Sequence, residues 1–340
     1  MSDPAPITPF DAEGGLVFAT RLPGEVGDFD GGRRGWEGLR PDAGGMGAGP
    51  LWVHLDRTKA RAQAWLRGEA GLDPVVAASL LAEETRPRAE VFGEGLLVIL
   101  RGINANPGAE PDELIAIRMW LEPGRVITLR QFRFPTIAET RARAQAGTAP
   151  ATAGAFLTAV AVGLGERMGP TIHGLEECLD EIEEAMLARE TDDDGRRSDL
   201  ATIRRQAIAY RRYLVPQRDA LATLANGRSG LLTARDQVEM RVALEQITRV
   251  CEALEELRDR AAVTQEEMRA RHEARVGRTV YLLTIVATVM LPLGFLTGLL
   301  GVNVGGLPLV ESRWGFVVVC AVLVVLAGLQ VWWFRKKRWL

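Results

Sequence analysis

At 340 residues the chain has room for roughly two domains, and a formal net charge of −3 is too small to suggest a nucleic-acid partner. Cys178, Cys251 and Cys320 lie far apart with no C-x-x-C or His pairing, so there is no disulfide framework and no recognisable zinc-ligand spacing; a reducing cytoplasm fits. The absence of a phosphate loop, a nucleophile elbow or a paired metal-binding His motif argues against an enzyme.

The start, MSDPAPITPFDAEGG, has no basic stretch followed by an apolar one, so no cleaved signal peptide is expected. Residues 1–50 hold 12 Gly and 6 Pro, a composition of loops and turns, with Leu16–Ala19 as one strand-like run. From Leu51 short β-like runs follow, LWVHL, GLLVILRGI, LIAIRMWL and RVITLR, with helical stretches at Thr58–Arg67, Pro74–Glu84 and Thr136–Ala146. Residues 51–150 thus read as a compact cytoplasmic α/β domain. His54 here and His173 further on are isolated and read as structural or surface residues.

Residues 151–278 lose the strand signal and take up helical periodicity. One helix carries Ile172, Leu175, Leu179, Ile182 and Met186 and breaks at TDDDGRRSD. A second has a regular seam of Leu200, Ile203, Ala207, Tyr210, Leu214, Gln217, Leu221 and Leu224 despite Pro216. A third, with Met240, Leu244, Ile247, Cys251, Leu254, Ala261 and Met268, has no stop signal from about Thr233 into the apolar run beyond it, a rod of about 90 Å or more. The acidic face of Glu176, Glu177, Asp180, Glu181, Glu183 and Glu184, with Asp192–Asp194, reads either as a solvated helix face or as an attractor or regulatory site for cations.

From Thr279 to Val310 there is no charged side chain, and the 22 residues Thr279–Leu300 would span about 33 Å as a helix, enough for a bilayer core of roughly 30 Å. A second run, residues 314–334, has Gln330 as its one strongly polar side chain. Residues 301–313 form the connecting loop and residues 335–340 a basic tail. Arg271, Arg275 and Arg278 before the first span and Arg335–Arg338 after the second put both ends in the cytoplasm and the loop outside. The first span also carries a seam, Gly277, Val280, Thr284, Ala287, Leu291, Gly294, Gly298 and Gly301, at steps of three and four. Small residues so spaced let two helices pack, as in the Gly-x-x-x-Gly of Gly294 and Gly298, or let several copies surround a narrow lumen. Asn303, just past the helix, serves either as a C-cap or, repeated around a symmetric oligomer, as a ring of oxygens for a cation.

The tail YLLTIVATVMLPLGFLTGLLGVNVGGLP…WGF…FRKKRWL resembles the CorA superfamily of divalent-cation transporters, whose two spans are joined by a Gly-Met-Asn signature. The signature here is Gly301-Val302-Asn303, and with Val304-Gly305-Gly306 and Pro308 it is similar to the zinc-transporter (ZntB) branch. The likeness extends to EETRPRAEVFGEGLLVILRGIN and YRRYLVPQRDAL. It implies a funnel-shaped homopentamer with an α+β cytoplasmic domain, long α-helices and a two-span α-helical membrane domain, in a bacterial-type inner (plasma) membrane. It also implies that the first span lines the pore, that Gly301, Val302 and Asn303 form the selectivity filter, and that Asn303 meets the metal through its hydration water. Leu291, Thr284 and Val280 match pore-facing positions. Gly277 stands where many relatives have Asn and Gly294 where many have Thr, so two polar ligands are missing from the lumen.

The residues and the resemblance point to different ions. A neutral oxygen ring without thiolate or imidazole suits magnesium, whereas the branch implies zinc; cobalt, nickel and cadmium are further candidate cargo, and no cofactor is expected. The branch is associated with proton-coupled uptake, yet the spans contain no Asp, Glu or His. His272, Glu273 and Glu311 are the candidate proton carriers at the margins, and a passive channel is the other possibility. A membrane-anchored coiled-coil scaffold would explain the seams and spans, but not the Asn-Gly signature in a short external loop.

Overall fold

The computed structural model describes residues 14–23, 36–39, 49–110, 112–188, 193–227, 229–301 and 313–337. Its sheet has six strands: β1 (Leu16–Arg21), β2 (Leu51–Asp56), β3 (Arg88–Phe92), β4 (Gly95–Ile103), β5 (Leu114–Glu122) and β6 (Arg125–Arg130). They lie in the order β1-β2-β6-β5-β4-β3. The β2–β6 pair is parallel, with Val53 opposite Ile127, and the other pairs are antiparallel. The strand expected at Leu16–Ala19 is β1, at one edge. The opposite edge, β3, was not expected: its RAEVF sequence is at most half-buried and lacks the apolar alternation of a core strand.

Near-continuous apolar runs in β2, β4 and β6 follow from coverage of both faces. On one face Val53, Leu55, Leu97, Ile127 and Leu129 share a core with Ala62, Trp65, Leu66, Val76 and Leu80. These last belong to α1 (Ala60–Ala64), the π-helical turn that prolongs it over Trp65–Glu69, and α2 (Pro74–Leu81). Asp73 starts α2, its carboxylate accepting from Val75 N at 2.7 Å with Pro74 in the first helical position. On the other face Trp52 meets Phe156 edge-on at 4.8 Å, and Gly102 lies under Leu164 and Phe134. Here the cover is α4 (Ala153–Leu187), capped by Thr152, with α3 (Pro135–Gln145) beside it.

The two remaining long helices are α5 (Asp193–Asn226) and α6 (Ala234–Leu300). The α5 seam is buried at every expected position, from Leu200 to Leu224. Its one amide, Gln217, caps the sheet: β3 stops pairing at Ile99 of β4, and two residues on, Arg101 N donates to Gln217 Oε1 at 2.6 Å. On α6, Met240, Ile247, Cys251, Leu254, Ala261 and Met268 are buried as expected, while Ala243 is buried in place of the half-exposed Leu244. Arg260 of α6 binds Asp180 at 2.5 Å and Glu183 at 2.6 Å on α4. Residues up to Gln265 form one unit; Glu266 to the C-terminus form a second, containing the end of α6 and α7 (Gly315–Lys336).

Candidate functional site

In the second unit, α6 and α7 are both long and apolar enough to cross a membrane. Their apolar segments are not buried in a core of this chain: Leu291 and Phe295 are 70% and 69% exposed and Phe316 81%. Such apolar surface requires lipid or a protein partner.

The little coverage that α6 has from Thr279 to Leu300 follows one face. Ile285, Val289, Pro292, Leu293 and Leu296 are half-buried, whereas Val280, Thr284, Ala287, Leu291, Gly294 and Gly298 are exposed. At about 100° per residue these two sets fall on opposite sides of the helix. On α7 the half-buried Val319, Leu323, Leu326 and Gln330 and the buried Phe334 likewise form a single face. Gln330 Oε1 is buried without a partner.

A Cβ added at Gly277, Gly294 or Gly298 would meet no atom within 4 Å. Among the described residues these glycines therefore do not serve close packing inside one chain. Gly301 differs, for a Cβ there would stand 3.2 Å from Thr297 O. Its amide closes the last turn of α6 onto Thr297 O at 2.9 Å and Gly298 O at 3.2 Å. Val302 and Asn303 lie outside the described residues.

The hydroxyls of this helix bond to their own backbone. Thr284 Oγ1 donates to Val280 O at 2.8 Å and Thr288 Oγ1 to Thr284 O at 2.7 Å. Each proton is thereby engaged while the oxygen keeps acceptor capacity, so Thr284 offers the seam an oxygen suited to water or a cation. Val280 and Leu291 offer only hydrocarbon.

Among the margin groups, Glu273 accepts from Arg269 Nε at 2.9 Å, His272 is exposed, and Glu311 lies outside the described residues. The acidic face of α4 is largely engaged. Asp180 and Glu183 hold Arg260, whose pKa they raise through these bonds, and Glu176 and Glu177 lie 3.4 and 3.3 Å from the exposed His173. Among the described residues no group of three or more His, Cys, Asp or Glu side chains could hold a metal ion. His54 is buried, with Nδ1 2.7 Å from Thr128 Oγ1, which also accepts from Trp52 Nε1 at 2.9 Å. Burial, then Arg130 and Arg141, push its pKa well below the usual value of 6.5. Sequence reading passed over Arg101 and Arg118. The available signal was a positive charge within the apolar runs of β4 and β5.

The CorA-like Mg2+ transporter protein family matches residues 47–336. The divalent cation transporter CmaX of Pseudomonas aeruginosa is 40% identical over 291 residues, covering 85% of this chain and 87% of the relative. The zinc transport protein ZntB of Yersinia enterocolitica is 33% identical over 309 residues, covering 91% of this chain and 94% of the relative. A solved structure of the full-length CmaX protein aligns with a TM-score of 0.82 at 37% identity, covering 96% of this chain and 99% of that one. The resemblance carried by the tail and its Gly-Val-Asn signature thus extends through the sheet and the long helices, and the chain belongs to the CorA-like Mg2+ transporter family.

Proposed function

We propose that the chain transports divalent cations, zinc foremost, across a bacterial inner membrane through a pore made by a homopentamer. The observation that carries this reading is the seam of α6: it faces away from the helix's own partly covered side, and a Cβ at its Gly277, Gly294 or Gly298 would meet nothing among the described residues within 4 Å. Symmetric copies supply what a single chain lacks, a closed wall around a lumen. In that arrangement Asn303, two residues after Gly301 in the sequence, presents a ring of neutral oxygens to a hydrated ion. Thr284 adds an oxygen deeper in, and Leu291 and Val280 form apolar constrictions. Gly277, Ala287, Gly294 and Gly298 keep the wall thin. The basic residues flanking the spans favour cytoplasmic termini.

Uptake needs no further energy source. A divalent ion moving inward gains about 4.6 kcal/mol per 100 mV of membrane potential. Proton coupling, if present, falls to His272, Glu273 and Glu311, because the segment Thr279–Leu300 holds no acid or histidine. Zinc rests on the Gly-Val-Asn signature and the likeness to ZntB. Magnesium is the second reading, favoured by the seam's oxygen-only donors.

The deciding experiment is radiolabelled or dye-reported uptake into proteoliposomes, comparing zinc and magnesium with and without a pH gradient at fixed voltage. Zinc entry exceeding magnesium entry is expected. Magnesium in excess selects the second reading, and no divalent flux from a correctly assembled oligomer overturns both.

A further inference from the structure

A cavity of about 170 Å³ in the first unit is lined by Arg57, Arg101, Arg118 and Gln131, with Glu83 and Glu113 also on its wall. Arg118 is 2% exposed. It donates to Leu80 O at 2.8 Å and Glu83 O at 3.2 Å, at and beyond the C-terminal end of α2, but its Nε is buried without a partner. Arg101 repeats the pattern: it donates to Leu114 O at 2.7 Å and Thr85 O at 2.9 Å, stacks on Tyr213 at 3.9 Å, and has a buried, unpartnered Nε. Arg57 donates to Gln131 Oε1.

The charged neighbours that act on Arg118 are both cationic. Burial, then Arg57 and Arg101, bring its pKa down to about 10, so it remains charged at neutral pH. Glu83 and Glu113 share the cavity wall and Glu84 acts on Arg101, so the three guanidinium groups outnumber the two carboxylates that line the cavity. A buried cation without a counter-charge costs several kcal/mol. Carbonyl dipoles offset part of that cost, and an anion in the cavity would offset the rest.

We propose that this cavity binds one compact oxyanion with the chemistry of phosphate, held by Arg57, Arg101 and Arg118. Guanidinium forks match tetrahedral and planar oxyanions better than they match a spherical halide. The volume falls below the range of about 300 Å³ or more typical of larger organic ligands. The enclosed space suits a free phosphate or a terminal phosphomonoester better than a whole nucleotide. Occupancy would tie α2, β4 and β5 together. It would also reach α5, because Arg101 is bonded through its amide to Gln217 and stacks on Tyr213.

The test is thermal unfolding of the full-length protein in detergent, without divalent metal, titrated with inorganic phosphate, glycerol phosphate or chloride at matched ionic strength. A saturable rise in unfolding temperature with phosphate, and none with chloride, is expected. Weaker stabilisation by glycerol phosphate identifies the free ion as ligand, and stronger stabilisation identifies a phosphomonoester; either supports an oxyanion site. Arg57→Gln, at a half-buried position that should fold normally, should weaken the apparent phosphate Kd at least tenfold, about 1.4 kcal/mol. Arg118→Gln should abolish the response, and if that variant does not fold Arg57→Gln decides alone. Equal stabilisation by chloride, no stabilisation by phosphate, or an unchanged response in Arg57→Gln overturns the proposal.

Discussion

Three packed glycines of the sheet unit and three glycines of the α6 seam stand in opposite surroundings. A Cβ at Gly95 would lie 2.1 Å from Trp120 Cζ2, one at Gly102 would lie 2.8 Å from Leu164 Cδ2 and 2.9 Å from Phe134 Cζ, and one at Gly165 would lie 2.4 Å from Gln246 Oε1. At Gly277, Gly294 and Gly298 it would meet nothing within 4 Å. In the first region the fold of one chain explains the absence of a side chain. In the second no atom among the described residues does, as is also true of Gly68, Gly93 and Gly124 in the first unit, which leaves the seam glycines free to meet lipid or another copy. The apolar residues tell the same story: Trp52, Trp65 and Tyr210 are fully buried in the sheet unit, whereas Leu291 and Phe295 wait for a bilayer or another copy.

The comparison is broken most directly by adding methyl groups. Gly95→Ala should cost about 1–3 kcal/mol, because the rigid indole of Trp120 has to move in a packed core. Gly294→Ala should stay within about 0.5 kcal/mol, read by denaturant unfolding monitored in the sheet unit. Equal effects at the two positions would erase the distinction. Asn303→Ala sharpens the other side of it: if this side chain, three residues past the end of α6 in sequence, belongs to a pore ring, divalent flux should fall at least tenfold, about 1.4 kcal/mol of barrier, with the oligomer intact by mass measurement. Wild-type flux would reduce Asn303 to a helix cap.

The smallest effect concerns His54. Its pKa is lowered in the fold, so the unfolded chain binds the proton more readily and stability falls as pH drops below about 6.5. Arg130 and Arg141 on neighbouring elements deepen that penalty, and Thr128 opposes it. His54→Gln should flatten the stability profile between pH 7 and the folded-state pKa, as read by thermal unfolding. An unchanged profile would assign the acid sensitivity to other groups.

Local periodicity made much of this protein legible. The α5 seam from Leu200 to Leu224 is buried at every position read from the sequence, and α6 runs unbroken to Leu300 as the lack of a stop signal implied. The stripe of small residues in α6 could also be read directly, since helical spacing alone sets which residues share a face. Tertiary structure alone decided that β1 pairs with β2 at one edge and that the polar β3 closes the other. It also decided that Gln217 satisfies the exposed amide of Arg101, that Arg118 is sealed beside two other arginines, and that the α6 seam lies opposite the helix's covered face. The physical reason is that a residue's face follows from a few bonds of chain geometry, whereas its partner is set by loop closure between segments distant in sequence, where burial can leave a charge without its counter-ion.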